Sequence, residues 1–416
     1  MSPTIDEIID ALSEPGSFGF QETVDLAVHE PGRLPDLIEL AAQRLRRSSN
    51  AVNAVLALVP DEELGHIADA SVAALRSGAD PGDGQAARLI ALLSLQAPRT
   101  LRPHLETLWD LAPNVRSYYS EWPWRGAGSG PEIDRLRSRL AVEDPETRLR
   151  AWTCLMESRT SDGWGAAIDA IGSIPHDDTW AIERFFSVGV ELRQEGIRSL
   201  INEPPHHVLF QDGFLRPFRW VGIDGHIESP TWTTTGEVAG RGRFGGSIDS
   251  PCKVCGRPLC RLLTIDEGPS SIPGPTEFVT CLSCLVWSEG ILYFAHGGGG
   301  ISPAGPEVVP REPEWPADPF PEVPVTVVRS APRWHCQDWG LSNSGENLNR
   351  LGGEPTWIQN PYFPTCPDCG ERMPFTMQLD SLEIDGTPGW LWGSGGILYA
   401  FWCSRDSISA TLCQWT

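Results

Sequence analysis

Apolar positions spaced three and four residues apart recur through the first 200 residues, and this spacing predicts amphipathic helices. In the segment that begins at Leu34, the residues Leu37, Ile38, Ala41 and Leu45 share one face. Two further stripes have the same spacing: Ala86, Leu89, Ile90 and Leu93, and then Leu101, Leu105, Leu108 and Leu111. Short helices joined by short turns are typical of stacked helical hairpins. We therefore predict a helical domain over residues 1–203.

The clearest helix start lies near residue 144. Asp144 is suited to cap a helix and Pro145 to occupy its first position. Leu149, Trp152, Leu155 and Met156 would then form the buried stripe. The segment from Asp144 to about Ile171 looks like a HEAT-type repeat, so we interpret the domain as a HEAT-like, solenoid-type array.

The pattern changes after Glu203, where prolines and glycines become dense and apolar runs shorten. Short strands are predicted at residues 278–280, 291–294, 323–328 and 397–402. The proline-rich, acidic residues 303–324 read as a linker between two β modules, 204–302 and 325–416. The predicted fold class is therefore α+β, with a HEAT-like helical domain followed by a β-rich part.

Charge and hydropathy bear on the partners of the protein. The net charge of the 416 residues is −23, of which residues 1–204 contribute −13 and residues 301–416 contribute −8. Such a field repels nucleic acid and membrane phosphates and attracts basic protein partners. No run approaches the roughly 18 apolar residues of a membrane helix. The first residues are acidic, unlike a signal peptide, so we expect a cytoplasmic protein that binds neither membrane nor nucleic acid.

Cysteine spacing predicts a metal site in the β-rich part. Ten of the eleven cysteines follow residue 250, and six of them form three C-x-x-C pairs. In a protein without a secretory signal, that distribution indicates metal rather than disulfides. The first four, which are Cys252, Cys255, Cys281 and Cys284, supply four thiolates with the spacing of a structural zinc knuckle.

A second group echoes the first. Cys366, Cys369 and Cys403 keep the pattern, while Asp406 stands where a fourth cysteine is expected. In both copies the knuckle glycine, Gly256 or Gly370, precedes an aspartate by ten residues, and this indicates a duplication. Three outcomes are open for the second group: a mixed zinc site with Asp406, recruitment of Cys413 or Cys336 as the fourth ligand, or loss of metal.

Other motifs do not predict catalysis. Gly240-Arg-Gly-Arg-Phe-Gly245 matches G-x-G-x-x-G, but the strand and helix that a dinucleotide site requires do not flank it. The run of glycines 297–300 fits a hairpin tip. The histidines 206, 207, 226, 296 and 335 show no paired spacing with acids or serines. We therefore predict a protein that is not an enzyme.

Residues 351–416 resemble a known family. Leu351-Gly-Gly-Glu-Pro-Thr-Trp, then Cys366-Pro-Asp-Cys-Gly-Glu-Arg-Met, then Leu398-Tyr-Ala-Phe-Trp-Cys are similar in order to the bacterial YwqG-like family, a domain of unknown function. The same blocks resemble the N-terminal module of the programmed cell death protein 2 family. The resemblance implies a β-rich, non-enzymatic module. It also implies either escort of a client protein or immunity against a toxin.

Three functional hypotheses follow. The first is a zinc-containing interaction protein, an immunity protein or client chaperone, that binds a basic protein partner. The second is a zinc-dependent hydrolase that uses an open coordination position at the second site. The third is an acidic mimic of nucleic acid that inhibits a nuclease.

Overall fold

The computed structural model describes residues 3–14, 19–112, 120–142, 144–215, 229–233, 236–269, 271–285, 290–306, 309–341, 346–384 and 389–416. The chain forms two compact units. The first contains Met1–Arg184 and Arg219–Pro230, and the second contains Phe185–Phe218 and Thr231–Thr416.

The first unit is helical over its described residues. Its helices are α1 (Ile5–Ser13), α2 (Gly19–His29), α3 (Leu34–Arg44), α4 (Asn50–Leu56), α5 (Leu64–Ser77), α6 (Gln85–Gln96), α7 (Leu105–Leu111), α8 (Pro131–Leu140), α9 (Pro145–Glu157), α10 (Ser161–Asp169) and α11 (Asp178–Arg184). The stripes predicted on α3 and α6 are buried, and Leu101 lies in a 3-10 turn before α7. The helical character is confirmed, whereas the HEAT-like repeat stays a prediction.

Acidic caps start two of these helices. The buried carboxylate of Asp80 accepts backbone N–H groups from Gly82 and Gly84, and from Ala86 and Ala87 in the first turn of α6. Asp144 caps α9, as predicted, by accepting the N–H of Thr147 at 2.8 Å. Each carboxylate satisfies donors that have no partner within the helix and complements the positive end of its dipole.

The second unit is built on strands. They are β1 (Val190–Arg193), β2 (Gly196–Ser199), β3 (His206–Phe210), β4 (Val238–Phe244), β5 (Ser247–Pro251), β6 (Pro258–Glu267), β7 (Glu277–Thr280), β8 (Leu292–Gly297), β9 (Gly300–Ala304), β10 (Val323–Arg329), β11 (Arg350–Leu351), β12 (Phe375–Asp380), β13 (Ile397–Cys403) and β14 (Ile408–Gln414). One short helix, α12 (Leu282–Leu285), follows β7. The four predicted strands correspond to β7, β8, β10 and β13.

Twelve of the strands form one antiparallel sheet. The order along the sheet is β5-β6-β4-β10-β3-β11-β12-β13-β14-β8-β9, and β7 pairs with β6. The strands β1 and β2 form a separate hairpin. The sheet curls back on itself. Strand β7 lies near one end of the strand order and β14 near the other, yet Thr280 Oγ1 on β7 is 2.9 Å from Thr411 Oγ1 on β14.

This arrangement differs from the predicted division into modules 204–302 and 325–416. Strand β10, from the second predicted module, lies between β3 and β4 of the first. Strand β8, from the first, pairs with β14 of the second. The last helix of the first unit, α11, ends at Arg184, whereas the predicted helical domain runs to residue 203. Proline content indicated a boundary at 303–324, but backbone pairing between distant strands joins both sides of it into one sheet.

Both faces of the central strands are buried. Along β13, Leu398 and Ala400 belong to the core inside the curl, together with Phe244, Phe278 and Trp392. The alternate residues of β13 belong to a second core on the other face: Ile397, Tyr399, Phe401 and Cys403. This alternation follows the two-residue period of a strand. None of the helices in the described part of the chain has the length and apolar character needed to cross a membrane.

Candidate metal centres

Centre 1 consists of Cys252, Cys255, Cys281 and Cys284. The first pair lies in the turn between β5 and β6, and the second lies at the end of β7 and in α12. Their sulfur atoms all lie within 4.8 Å of one another. The Cys252–Cys284 and Cys255–Cys281 Sγ distances are 3.8 and 3.5 Å. A tetrahedron with metal–sulfur bonds of about 2.3 Å has sulfur–sulfur edges of about 3.8 Å, so these residues fit a four-thiolate ion.

Centre 2 consists of Cys366, Cys369, Cys403 and Asp406. The Cys369 and Cys403 sulfurs are 3.7 Å apart, and Asp406 Oδ2 lies 3.2 Å from Cys366 Sγ and 3.4 Å from Cys403 Sγ. A tetrahedral ion with one oxygen and three sulfur ligands has sulfur–oxygen edges of about 3.5 Å. The structure therefore brings Asp406 to the fourth corner. Cys413 is buried in the core inside the curl, and the Cys336 thiol contacts Glu354 instead.

The two knuckle turns have the same local geometry. Gly256 and Gly370 both adopt positive φ, at 71° and 75°, which favours glycine. In the first knuckle Gly256 N–H donates to Cys252 C=O, and Cys252 N–H donates to Arg257 C=O. In the second, Gly370 N–H and Cys366 N–H make the equivalent bonds to Cys366 C=O and Glu371 C=O. This likeness supports the duplication, which stays a prediction.

Hydrogen bonds through shared thiol protons connect the ligand groups in both centres. In centre 1, hydrogen bonds from the Cys281 and Cys284 thiols lower the pKa of Cys252, and the same contacts raise the pKa of Cys281 and Cys284. In centre 2, hydrogen bonds from the Cys369 and Cys366 thiols lower the pKa of Asp406. Burial raises the pKa of the Cys366 thiol to about 12. A divalent cation would replace these shared protons and stabilise all four anions.

Both clusters could therefore hold a metal ion, and the donor set limits what that ion could do. Four protein ligands complete a tetrahedron, which is the arrangement of structural sites rather than of catalytic ones. An ion held by such a closed site would stabilise the surrounding strands, here β6 with β7 and β12 with β13.

The other sequence motifs lie outside these centres. Residues 240–244 belong to β4, and glycines 297–300 form the tip of the β8–β9 hairpin. His207 is buried with its Nδ1 2.8 Å from Ser330 Oγ, and His296 Nε2 lies 2.8 Å from Ser409 Oγ. His226 lies outside the described residues.

The contacts that the residues next to the cysteines make with residues 304–311 are not predicted from the sequence. Lys253, the only lysine of the chain, donates from Nζ to the carbonyls of Gly305 and Pro306 at 3.3 and 3.0 Å, and also to that of Ala304. Val254 C=O accepts the N–H of Arg311 at 2.8 Å. These contacts connect the first knuckle to the segment predicted as a linker. A lysine that occurs once, inside a C-x-x-C, was the available signal.

Comparison with known proteins finds one distant bacterial relative. The chain is 25% identical over 186 residues to the uncharacterized protein YpfL of Salmonella typhimurium (strain LT2). That match covers 40% of this chain and 39% of the relative's own length. No protein-family model matches the chain, and no solved structure matches it. The chain is therefore similar, over two fifths of its length, to a bacterial protein of uncharacterised function.

Proposed function

We propose that the protein is a cytoplasmic interaction protein whose two centres hold structural Zn²⁺ and whose acidic surface binds a basic protein. The observation that carries this proposal is the closure of both centres. Asp406 Oδ2 lies at the corner where a hydrolase would keep its water. The net charge of −23 supports the choice of a basic partner.

Zinc is the proposed ion because seven of the eight ligand residues are cysteines and the ligand atoms of each centre fit a tetrahedron. Thiolates select Zn²⁺ over Mg²⁺ or Ca²⁺, and a single carboxylate is an accepted fourth zinc ligand. The resemblance of residues 351–416 to the YwqG-like and programmed cell death protein 2 families extends the proposal. It suggests an immunity protein or client chaperone built on a duplicated knuckle.

Metal analysis tests the proposed role of zinc. We expect two zinc ions per chain, and one after Cys281→Ser. The Cys403→Ser variant separates a structural from a catalytic role. Loss of a hydrolytic activity in that variant, with the folded state retained, would contradict a structural role.

Partner binding is tested with the tagged full-length chain. It is purified from cells that express it naturally, and co-purifying proteins are quantified against a tag-only control. We expect one enriched basic protein whose affinity for the purified chain decreases as salt increases, because screening weakens charge attraction. A neutral partner with salt-independent affinity would overturn the proposal.

A further inference from the structure

In residues 309–322, which we call the strap, proline recurs at every third position from 310 to 319. Prolines occupy positions 310, 313, 316 and 319. Over these residues the chain has neither helix nor strand, and a bend occurs at Glu314 and Trp315. Proline at every third position favours the polyproline II conformation, which has three residues per turn. Residues three apart along the strap therefore tend to share a face.

One face of the strap is anchored to centre 1 and to the core. The N–H of Arg311 donates to Val254 in the first knuckle. Glu314, three residues further on, is exposed. Ala317, six residues further on, makes two backbone hydrogen bonds with Ser283: its N–H donates to Ser283 Oγ at 2.8 Å, and its C=O accepts from the same hydroxyl at 3.2 Å. Phe320 is buried against Phe244, with ring centroids 5.1 Å apart.

The next face points to solvent. Val309 is 83% exposed and Trp315 is 56% exposed. Glu312, which is exposed, lies midway between them. Asp318 follows Trp315 by three residues, and its side chain is 91% exposed. Asp318 also pairs with Arg257 of the first knuckle, at 2.8 Å. The outward face thus alternates large apolar and acidic side chains on a segment attached at several points.

From this arrangement we propose that the outward face of the strap, Val309–Glu312–Trp315–Asp318, is the docking surface for a basic protein that receives Trp315 in an apolar pocket. The inference rests on the proposed function and names the surface that it uses. Tryptophan is the residue type that most often dominates binding energy, and a charged rim confers orientation and speed of association. The exposed carboxylate of Glu312 and the net charge of −23 favour a basic protein over nucleic acid or anionic lipid, whereas the Asp318 carboxylate is already paired with Arg257.

The anchors also lower the cost of binding. A segment stiffened by prolines and held at Arg311, Ala317 and Asp318 loses little conformational entropy when a partner docks. Because Val254, Arg257 and Ser283 lie within or beside the ligand pairs of centre 1, the geometry of that centre sets the position of the strap.

The experiment uses photocrosslinking in the full-length protein. The photoreactive residue p-benzoylphenylalanine replaces Trp315 and, as a control, Val238, which is 50% exposed. Val238 pairs with Val328 at the end of β4 opposite Phe244, the residue that packs against Phe320 of the strap. After irradiation in cells we expect one basic protein crosslinked from position 315 and absent from position 238. Its affinity for the chain is then measured with purified proteins. We expect Trp315→Ala to weaken binding about 30-fold, as for a central anchor, and Val238→Ala to change it less than about twofold.

Several results would overturn the inference. One is equal crosslinking from both positions, and another is crosslinking to RNA or lipid. A third is a basic partner whose affinity is unchanged by Trp315→Ala; in that case the proposed function survives and the strap surface does not. If the unmodified chain enriches no basic protein, both fail together. An unchanged melting temperature of Trp315→Ala confirms that any loss of affinity reflects the surface rather than unfolding.

Discussion

Asp406 is the residue on which the character of centre 2 depends. It belongs to the turn between β13 and β14, and the residue after it, Ser407, has a φ of +55°. This left-handed conformation is uncommon for a serine. The turn sets the carboxylate within 3.4 Å of two cysteine sulfurs, so a shift of the backbone here would open the site.

Removing this carboxylate should empty centre 2 and leave centre 1 intact. We expect Asp406→Ala to reduce the bound metal from two ions to one per chain after gel filtration, because three thiolates alone leave one corner open. Asp368→Ala is the matched control, since Asp368 is an exposed aspartate of the same knuckle. Two ions retained by Asp406→Ala, measured by elemental analysis, would show that another group supplies the fourth ligand.

His207 makes stability depend on pH. Burial, with the nearby charge of Arg350, lowers the pKa of His207 to about 3. In the unfolded chain its pKa is about 6.5, so between these values only the unfolded state takes up the proton. This contribution to stability is therefore lost as pH falls below 6.5, by up to about 1.4 kcal/mol per pH unit.

Urea unfolding at pH 7 and at pH 5 measures this slope. We expect His207→Gln to have a smaller loss of unfolding free energy between the two pH values than the unmodified protein. The exposed His29 provides a control through His29→Gln. Equal slopes in the His207 variant and the unmodified protein would show that another group causes the pH dependence.

At the scale of elements, each knuckle holds a neighbouring segment through the residue that follows its glycine. In the first knuckle that residue is Arg257, which pairs with Asp318 of the strap. In the second it is Glu371, which pairs with Arg193 and Arg198 of the β1–β2 hairpin. Arg198 also donates to Arg372 C=O at 3.1 Å. The knuckles therefore position segments that lie outside the ligand set.

Neutralising Glu371 should loosen the β1–β2 hairpin. Partly exposed ion pairs contribute at most about 1 kcal/mol each, and Glu371 makes two of them, so in Glu371→Gln we expect amide exchange over residues 190–199 to accelerate by up to about 30-fold. Glu195→Gln is the control, because Glu195 is 76% exposed and lies 4.0 Å from Arg193. Unchanged exchange in Glu371→Gln would show that other contacts hold the hairpin.

At the scale of the molecule, the second unit has one large sheet, in which strands from early in the chain flank the late strands β10 to β14. Strand β11 lies between β3 and β12, and β14 lies between β13 and β8. A fragment of residues 325–416 would lack β3 and β8. It would therefore expose unpaired edges on both sides of β11–β14.

We expect this fragment to fail to fold, although it contains all four ligands of centre 2. The readout is the amide dispersion of an NMR spectrum recorded with one equivalent of zinc. Residues 185–416 contain every strand of the sheet and should give a dispersed spectrum. Dispersed signals from the shorter fragment would support independent modules and contradict the single sheet.

Much of this architecture follows from local sequence patterns. The helical stripes, the cap at Asp144, four strands and the grouping of each set of four ligands depend on residues near one another in the chain. The strand order does not, because pairings such as β8 with β14 depend on backbone contacts between distant segments. The sequence predicts a linker over residues 303–324, which include the strap, for a related reason. Its anchors at Val254 and Ser283 use a main-chain carbonyl and a common side chain, and neither has a sequence signature.

The spacing of the ligands bears on how this unit reaches its folded state. Cys252 and Cys284 are 32 residues apart and Cys366 and Asp406 are 40 apart, whereas the Thr280–Thr411 contact joins residues 131 apart. Shorter loops cost less entropy to close, and contacts between distant residues slow folding. A metal ion bound by either centre would hold neighbouring strands together before the distant strands pair. The supply of metal would then control the rate at which the sheet assembles as well as its final stability.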